Sequence, residues 1–251
     1  MSHRLATRLA SILALAIVWE GLGRSAESLL MPPVTRIVSA WVRLLKDGGL
    51  AENLALSLGT LVAGFTLALI LGLLIGALMG RFLVVEHLLD VYINALMAAP
   101  AIAFIPALIL WFGLGLQSRI AVVFLFSFFV IAVNTQTGIK CVDPALVEMA
   151  RSFGAKSGAL FFKVELPAAL PMIMAGIRLG MGRAVKGMVN GEVLIALTGV
   201  GAMIMQYGSA FATDALYAII LTILAVAMIL TKLVQAVDRK LTRWKVEIGI
   251  E

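Results

Sequence analysis

Charge is what this chain has least of. Only 14% of its 251 residues are Asp, Glu, Lys or Arg, against about a quarter in an ordinary soluble domain, and that shortage excludes a soluble enzyme or binding module. A single cysteine, Cys141, rules out an internal disulfide and a thiolate cluster, and the two histidines, His3 and His87, lie far apart. No metal site and no cofactor site are expected. No Gly-rich phosphate loop ending in Lys-Ser or Lys-Thr occurs, so the chain is not expected to hydrolyse ATP. The apolar runs also lack the cluster of His, Asp and Glu, or the Ser with its base, that a membrane-embedded enzyme would hold at one depth.

What is present is apolar. The hydrophobic fraction is 62% and the mean hydropathy +1.06, which describes an all-α polytopic membrane protein. A chain of 251 residues holds about six helical spans of about 20 residues each with their connections, and leaves no room for a soluble domain. Six runs meet that description, from about Leu5 to Leu22, Asn53 to Gly80, Val91 to Ser118, Ile120 to Ile139, Ala175 to Ala196 and Ala215 to Thr231. The whole chain then reads as one transmembrane domain, with residues 1–55 as first span plus an interfacial helix, 56–235 as core and 236–251 as a tail. The basic start and apolar centre of the first run also suit a cleaved secretory signal. No small-x-small site follows it, and Trp19 and Glu20 suit the outer interface of a span, so a retained first span is the preferred reading.

Between the first two runs, Val34, Ile37, Val38, Trp41, Leu44 and Leu45 fall on one helical face, with Arg36, Arg43 and Lys46 mainly on the other. An interfacial helix on membrane lipid is expected there; a docking site for an outside partner is the alternative. In the second run Gly72, Gly76 and Gly80 form small-xxx-small pairs, which let helix backbones approach closely. Pro100 and Pro106 fall inside the third, which predicts a kinked span sheltered within the bundle.

The net charge of +6 suggests inner loops and not nucleic acid. With the N-terminus inside, the inner segments hold twelve Lys and Arg and the outer ones only five, Arg24, Arg36, Arg43, Lys46 and Arg119. Both termini and the long segment from Lys140 to Ala175 are therefore expected in the cytoplasm.

That segment carries the most informative pattern. From Pro144 the chain reads PALVEMARSF, with Pro at a helix start and Leu146, Met149, Ala150 and Phe153 three or four apart on one face. Gly154 sits where a helix would stop in a left-handed conformation, and an apolar pattern resumes from Leu160 until Pro167 interrupts it. A short helix, a glycine stop and a second helix make a rigid knob outside the lipid. Glu148, Ala150 and Gly154, then nine intervening residues before Val164, and finally Leu166-Pro167 resemble the "EAA" loop of the membrane subunits of bacterial ABC importers, with Met149 in place of an Ala and Val164 in place of an Ile.

The resemblance extends through PAIAFIPALILWFGLG, SFFVIAVNTQTGI, LPAALPMIMAGIRLG and GEVLIALTGVGAMI, roughly Leu56 to Leu233, and is to the nitrate, sulfonate and taurine branch of these permeases. It implies a MetI-like bundle in the bacterial inner membrane. It implies as partners two cytoplasmic ABC ATPase subunits, a second permease copy, an identical one being expected, and a periplasmic or lipid-anchored substrate-binding protein. By the resemblance Glu148, Met149, Ala150, Arg151, Ser152, Phe153 and Gly154 form the coupling helix that enters a groove on the ATPase.

Arg183, Lys186 and Asn190 lie at i, i+3 and i+7 on one face of the fifth run, with Glu192 on a different face. One reading is that they line the pathway and attract a small anion. The other is that Arg183 and Lys186 still lie near the cytoplasmic interface and snorkel to it. A stand-alone secondary transporter or channel is the competing function; it would be expected to show ion-coupling carboxylates inside the spans, and Glu192 stands alone.

Overall fold

The computed structural model describes residues 2–25, 30–195 and 198–242, and every regular element among them is helical. In chain order these are α1 (Ser2–Ser25), α2 (Val34–Lys46), α3 (Leu50–Arg81), α4 (Leu83–Ala98), a 3₁₀ turn (Ala101–Phe104), α5 (Ile105–Phe112) and α6 (Leu116–Lys140). There follow α7 (Pro144–Ser152), α8 (Ser157–Leu160), a π turn (Phe161–Glu165), α9 (Leu166–Ile195), α10 (Val200–Ser209) and α11 (Thr213–Leu241). Four helical stretches are long and apolar enough to cross a membrane: Leu50–Arg81, Leu116–Lys140, Ser157–Ile195 and Thr213–Leu241. The pair α4 and Ala101–Phe112 would add a fifth, and α1 covers the range expected for the first span. The end of the basic tail, from Arg243 onward, lies outside the described residues.

The core is a three-helix packing of α3, α6 and α9 with α6 in the middle. Its closeness comes from glycine on both sides. On α3, a Cβ at Gly76 would stand 2.4 Å from the Ala132 carbonyl oxygen, and one at Gly72 2.9 Å from Ile131 Cγ2. This is the approach that the Gly72, Gly76, Gly80 spacing predicts. On α9, Gly176, Gly180 and Gly187 do the same against Asn134, Ile131 and Phe126, at 2.5, 2.7 and 2.9 Å. Where lipid supplies no drive for helices to associate, contact at this range supplies dispersion instead.

Two expectations about proline are corrected. The third span is not one kinked helix inside the bundle: α4 and the Ala101–Phe112 segment are bent by 99°, and Leu110, Trp111 and Phe112 are exposed in the single chain. Pro100 caps the 3₁₀ turn and Pro106 lies in the first turn of α5, positions where a missing N–H costs nothing. Conversely, Pro167 does not interrupt the helix that begins at Ser157. The five-residue π turn directly before α9 changes the hydrogen-bond register there, and the helix runs on past Pro167 and Pro171 to Ile195.

At the end of the bundle away from α7, α2 docks on α1 and α11. Trp19 Nε1 donates to the Pro32 carbonyl at 3.1 Å and Trp41 Nε1 to Thr222 Oγ1 at 3.0 Å. Glu20 accepts from the Thr35 backbone N–H at 3.0 Å in the first turn of α2. Ile37, Ala40 and Leu44 are buried by this docking, while Val38, Trp41 and Leu45 stay exposed.

Candidate functional site

The Glu148 segment folds as its local chemistry dictates. The Asp143 carboxylate accepts from the Ala145 N–H at 2.9 Å, and Pro144 opens α7. At the other end Gly154 has φ +79°, its N–H donates to the Arg151 carbonyl at 2.8 Å, and the Ala155 N–H donates to the Ala150 carbonyl at 3.0 Å. These two bonds are a Schellman stop. Both ends of a nine-residue helix are thus fixed.

No residue of α7 is buried. Leu146, Met149 and Phe153, at i, i+3 and i+7, are 40%, 54% and 85% exposed and form one outward apolar stripe. Ala150 and Val147 are partly covered by the chain, while Glu148, Arg151 and Ser152 are exposed. Apolar groups at this density on a rigid, solvent-facing knob mark a contact surface.

The second group of sequence candidates is divided by the fold. Arg183 and Lys186 are exposed and Asn190 is partly so; Lys186 and Asn190 line an open groove of about 540 Å³ among α6, α9 and α11, with Phe126, Val189 and Ile223. Their depth follows from α9's packing on α6. Gly180 lies against Ile131 and Ser127, Gly187 against Phe126 and Gly191 against Val122, so Arg183 and Lys186 stand abreast of the middle of α6 (Leu116–Lys140). Neither cation has an ion pair among the described residues. The neighbouring Arg178, by contrast, reaches Asp238 of α11 at 3.5 Å.

Glu192 does not share that groove. Its side chain is 0% exposed and closes the corner where α9 ends and α10 begins. Oε2 accepts from Ser57 Oγ of α3 at 2.8 Å and from the Gly201 N–H in the first turn of α10 at 3.0 Å. The Ser57 hydroxyl accepts from the Val200 N–H at 3.0 Å, and Asn53 Oδ1 from the Gly199 N–H at 2.9 Å. Gly199, at φ +91°, and Gly201 leave no space for a side chain: a Cβ would lie 2.5 Å from the Glu192 carboxyl carbon and 2.4 Å from its Cβ. Glu192 Oε1 and Arg119 Nη1 are enclosed without a hydrogen-bond partner among the described residues. The Gly-rich TGVG stretch was visible in the sequence; its partners Asn53 and Ser57 carried no signal that linked them to it.

A multi-pass helical bundle with a capped knob between two of its spans, one of which carries two exposed cations abreast of the middle of α6, has the build of a membrane transport permease. The chain belongs to the family described as binding-protein-dependent transport system inner membrane components, which matches residues 68–243. It is 38% identical to the aliphatic sulfonates transport permease protein SsuC of Bacillus subtilis (strain 168), over 94% of this chain and 85% of that protein. It is 29% identical to the taurine transport system permease protein TauC of Escherichia coli (strain K12), over 99% and 93%. Its fold matches a chain of the MetNI methionine ABC transporter in an inward-facing conformation, with a TM-score of 0.64 at 18% identity, over 74% of this chain and 93% of that one.

Proposed function

We propose that this ABC importer permease forms, as a homodimer, the pathway of a transporter for a small sulfonate-type anion, driven by two ATPase subunits that dock on α7. A periplasmic or lipid-anchored binding protein would deliver the solute. In this reading α1 is the sixth span, the chain is a single transmembrane unit, and both termini and α7 face the cytoplasm. The charge distribution supports that side, with twelve Lys and Arg in the inner segments against five in the outer.

The observation that carries the reading is the stripe of Leu146, Met149 and Phe153 on a helix fixed at both ends, all of it outside the bundle. Residues 148–154 supply the docking knob, and a rigid knob transmits a rotation of its partner to the spans that flank it. The anion is supported by Arg183 and Lys186. A cation at the bilayer centre costs about 2.5–3.5 kcal/mol on insertion scales, so two unpaired ones abreast of the middle of α6 require water, a solute or the second copy beside them. Asn190 adds a neutral hydrogen-bonding group to the same face, and the sulfonate and taurine permeases among the relatives fit an anionic cargo.

The test is purification of the tagged chain from its own host in mild detergent, with Phe153→Glu beside it. A soluble ATPase recovered with the unaltered chain and lost with the variant is expected. The chain recovered alone, and moving solute without ATP, would overturn the reading in favour of a stand-alone transporter.

A further inference from the structure

One side chain joins α3 to both ends of the segment that links α7 to α9. Arg81, the last residue of α3, donates from Nη1 to both oxygens of Glu165, at 2.8 and 3.0 Å, and from Nη2 to Ser157 Oγ at 2.6 Å. Its guanidinium lies 5.9 Å from the centre of the Phe161 ring. Ser157 opens α8 and Glu165 closes the π turn, so the fork grips the beginning and the end of the linker at once. Glu165 is buried, and a buried carboxylate whose two oxygens both accept from one guanidinium nitrogen, while the other nitrogen is tied to Ser157, is held in place by a charge-assisted contact.

We infer that Arg81 is a positioning residue of the coupling step, which makes α3 and the root of α9 move together when α7 is displaced. The inference rests on α7 being the ATPase contact. A π turn is a register fault in the helix and a place where an arriving displacement can be absorbed locally. Here it lies between the knob and the span that carries Arg183 and Lys186. With Nη1 of Arg81 on Glu165 and Nη2 on Ser157 the fault is bridged, and the displacement is delivered to α9 and, through α3, to α6 and the rest of the core. Without it, the π turn yields and α9 stays behind.

The consequence is uncoupling: ATP is consumed while the spans stop responding. The readout needs no identified solute. Leu194, exposed near the end of α9 away from α7, is replaced by cysteine in a Cys141→Ser background, and its labelling by a membrane-impermeant maleimide is followed with and without ATP in vesicles holding the whole assembly. ATP hydrolysis is measured in the same vesicles. Arg81→Ala and Glu165→Gln are expected to keep the ATPase bound and hydrolysing while the ATP-dependent change in labelling per ATP falls about tenfold, within the usual range of coupling between sites. The exchanged pair, Arg81→Glu with Glu165→Arg, is expected to recover most of it. If Arg81→Ala does not accumulate in the membrane, Arg81→Lys, which keeps the charge and loses the fork, must show the same fall. Single variants with an unchanged ratio, or with hydrolysis and labelling reduced in equal proportion, would overturn the inference. An unaltered chain that recovers no ATPase would overturn the α7 reading and the clamp with it, so the two failures are told apart.

Discussion

Glu192 and Lys186 stand less than two turns apart on α9, and the fold treats them in opposite ways. The carboxylate is fully enclosed and receives hydrogen bonds from α3 and from the first turn of α10. The ammonium lines an open groove and has no ion-pair partner among the described residues. Burial with partners is how a protein retains a charge for its own architecture. A charge at mid-depth with no partner has to be compensated by something outside the chain. The same helix therefore carries one ionisable group that belongs to the structure and two, Arg183 and Lys186, that the proposed function assigns to what passes or docks beside it.

The sharpest way to break that contrast is to remove the carboxylate. Glu192→Leu keeps the approximate volume but leaves the Gly201 N–H without its acceptor in an enclosed corner, and leaves the Ser57 hydroxyl only the Asn53 carbonyl to donate to. An unsatisfied buried donor costs about 1–3 kcal/mol, so the variant should lose about that much and show a clearly lower melting temperature in detergent. Glu192→Gln keeps an acceptor oxygen for both donors and should lose less than half as much. Equal melting of all three proteins would show that the corner does not depend on this side chain.

The cations should give the reverse pattern. Arg183→Ala with Lys186→Ala removes two exposed side chains that have no ion pair among the described residues, so the melting temperature should stay within about a degree or two, as for substitutions away from packed or paired groups. Under the proposed function, ATP-driven uptake of a small sulfonate probe into vesicles holding the assembly should fall tenfold or more, the effect of about 1.4 kcal/mol of lost interaction with the anion. A pair variant that melts early and transports normally would reverse the assignment of the two regions.

How far this contrast could be read from the sequence depends on the range of the interactions involved. The α7 knob was legible because its signals are local: Asp143 and Pro144 start it and Gly154 stops it, all within one short segment. The spacing of Gly72, Gly76 and Gly80 announced the close packing of α3, and the i, i+3, i+7 spacing of Arg183, Lys186 and Asn190 put them on one face. The prolines misled because their effect depends on where a helix restarts, and that is set by tertiary packing. Pro106 begins a helix, whereas Pro167 is carried through by a π turn that no periodicity marks. The long-range pairs were invisible: Ser57 and Glu192 are 135 residues apart, Arg81 and Glu165 are 84 apart, and one sequence gives no means of joining them.

A third charged contact sets the lower bound of the comparison. Arg43 of α2 reaches Asp214 of α11 at 2.7 Å, a shorter distance than any bond Glu192 makes, yet the two side chains are 69% and 29% exposed. Distance alone would rank it first. Exposure reverses that ranking, because water already solvates both groups and the pair gains only about 0–1 kcal/mol. Arg43→Gln should therefore lower the melting temperature by less than any Glu192 variant. Whatever small loss it causes should shrink further when salt is raised to 1 M, where the screening length falls to about 3 Å, while the Glu192 losses should persist. A salt-insensitive loss at Arg43 as large as that of Glu192→Leu would mean that burial does not decide which charges this bundle depends on.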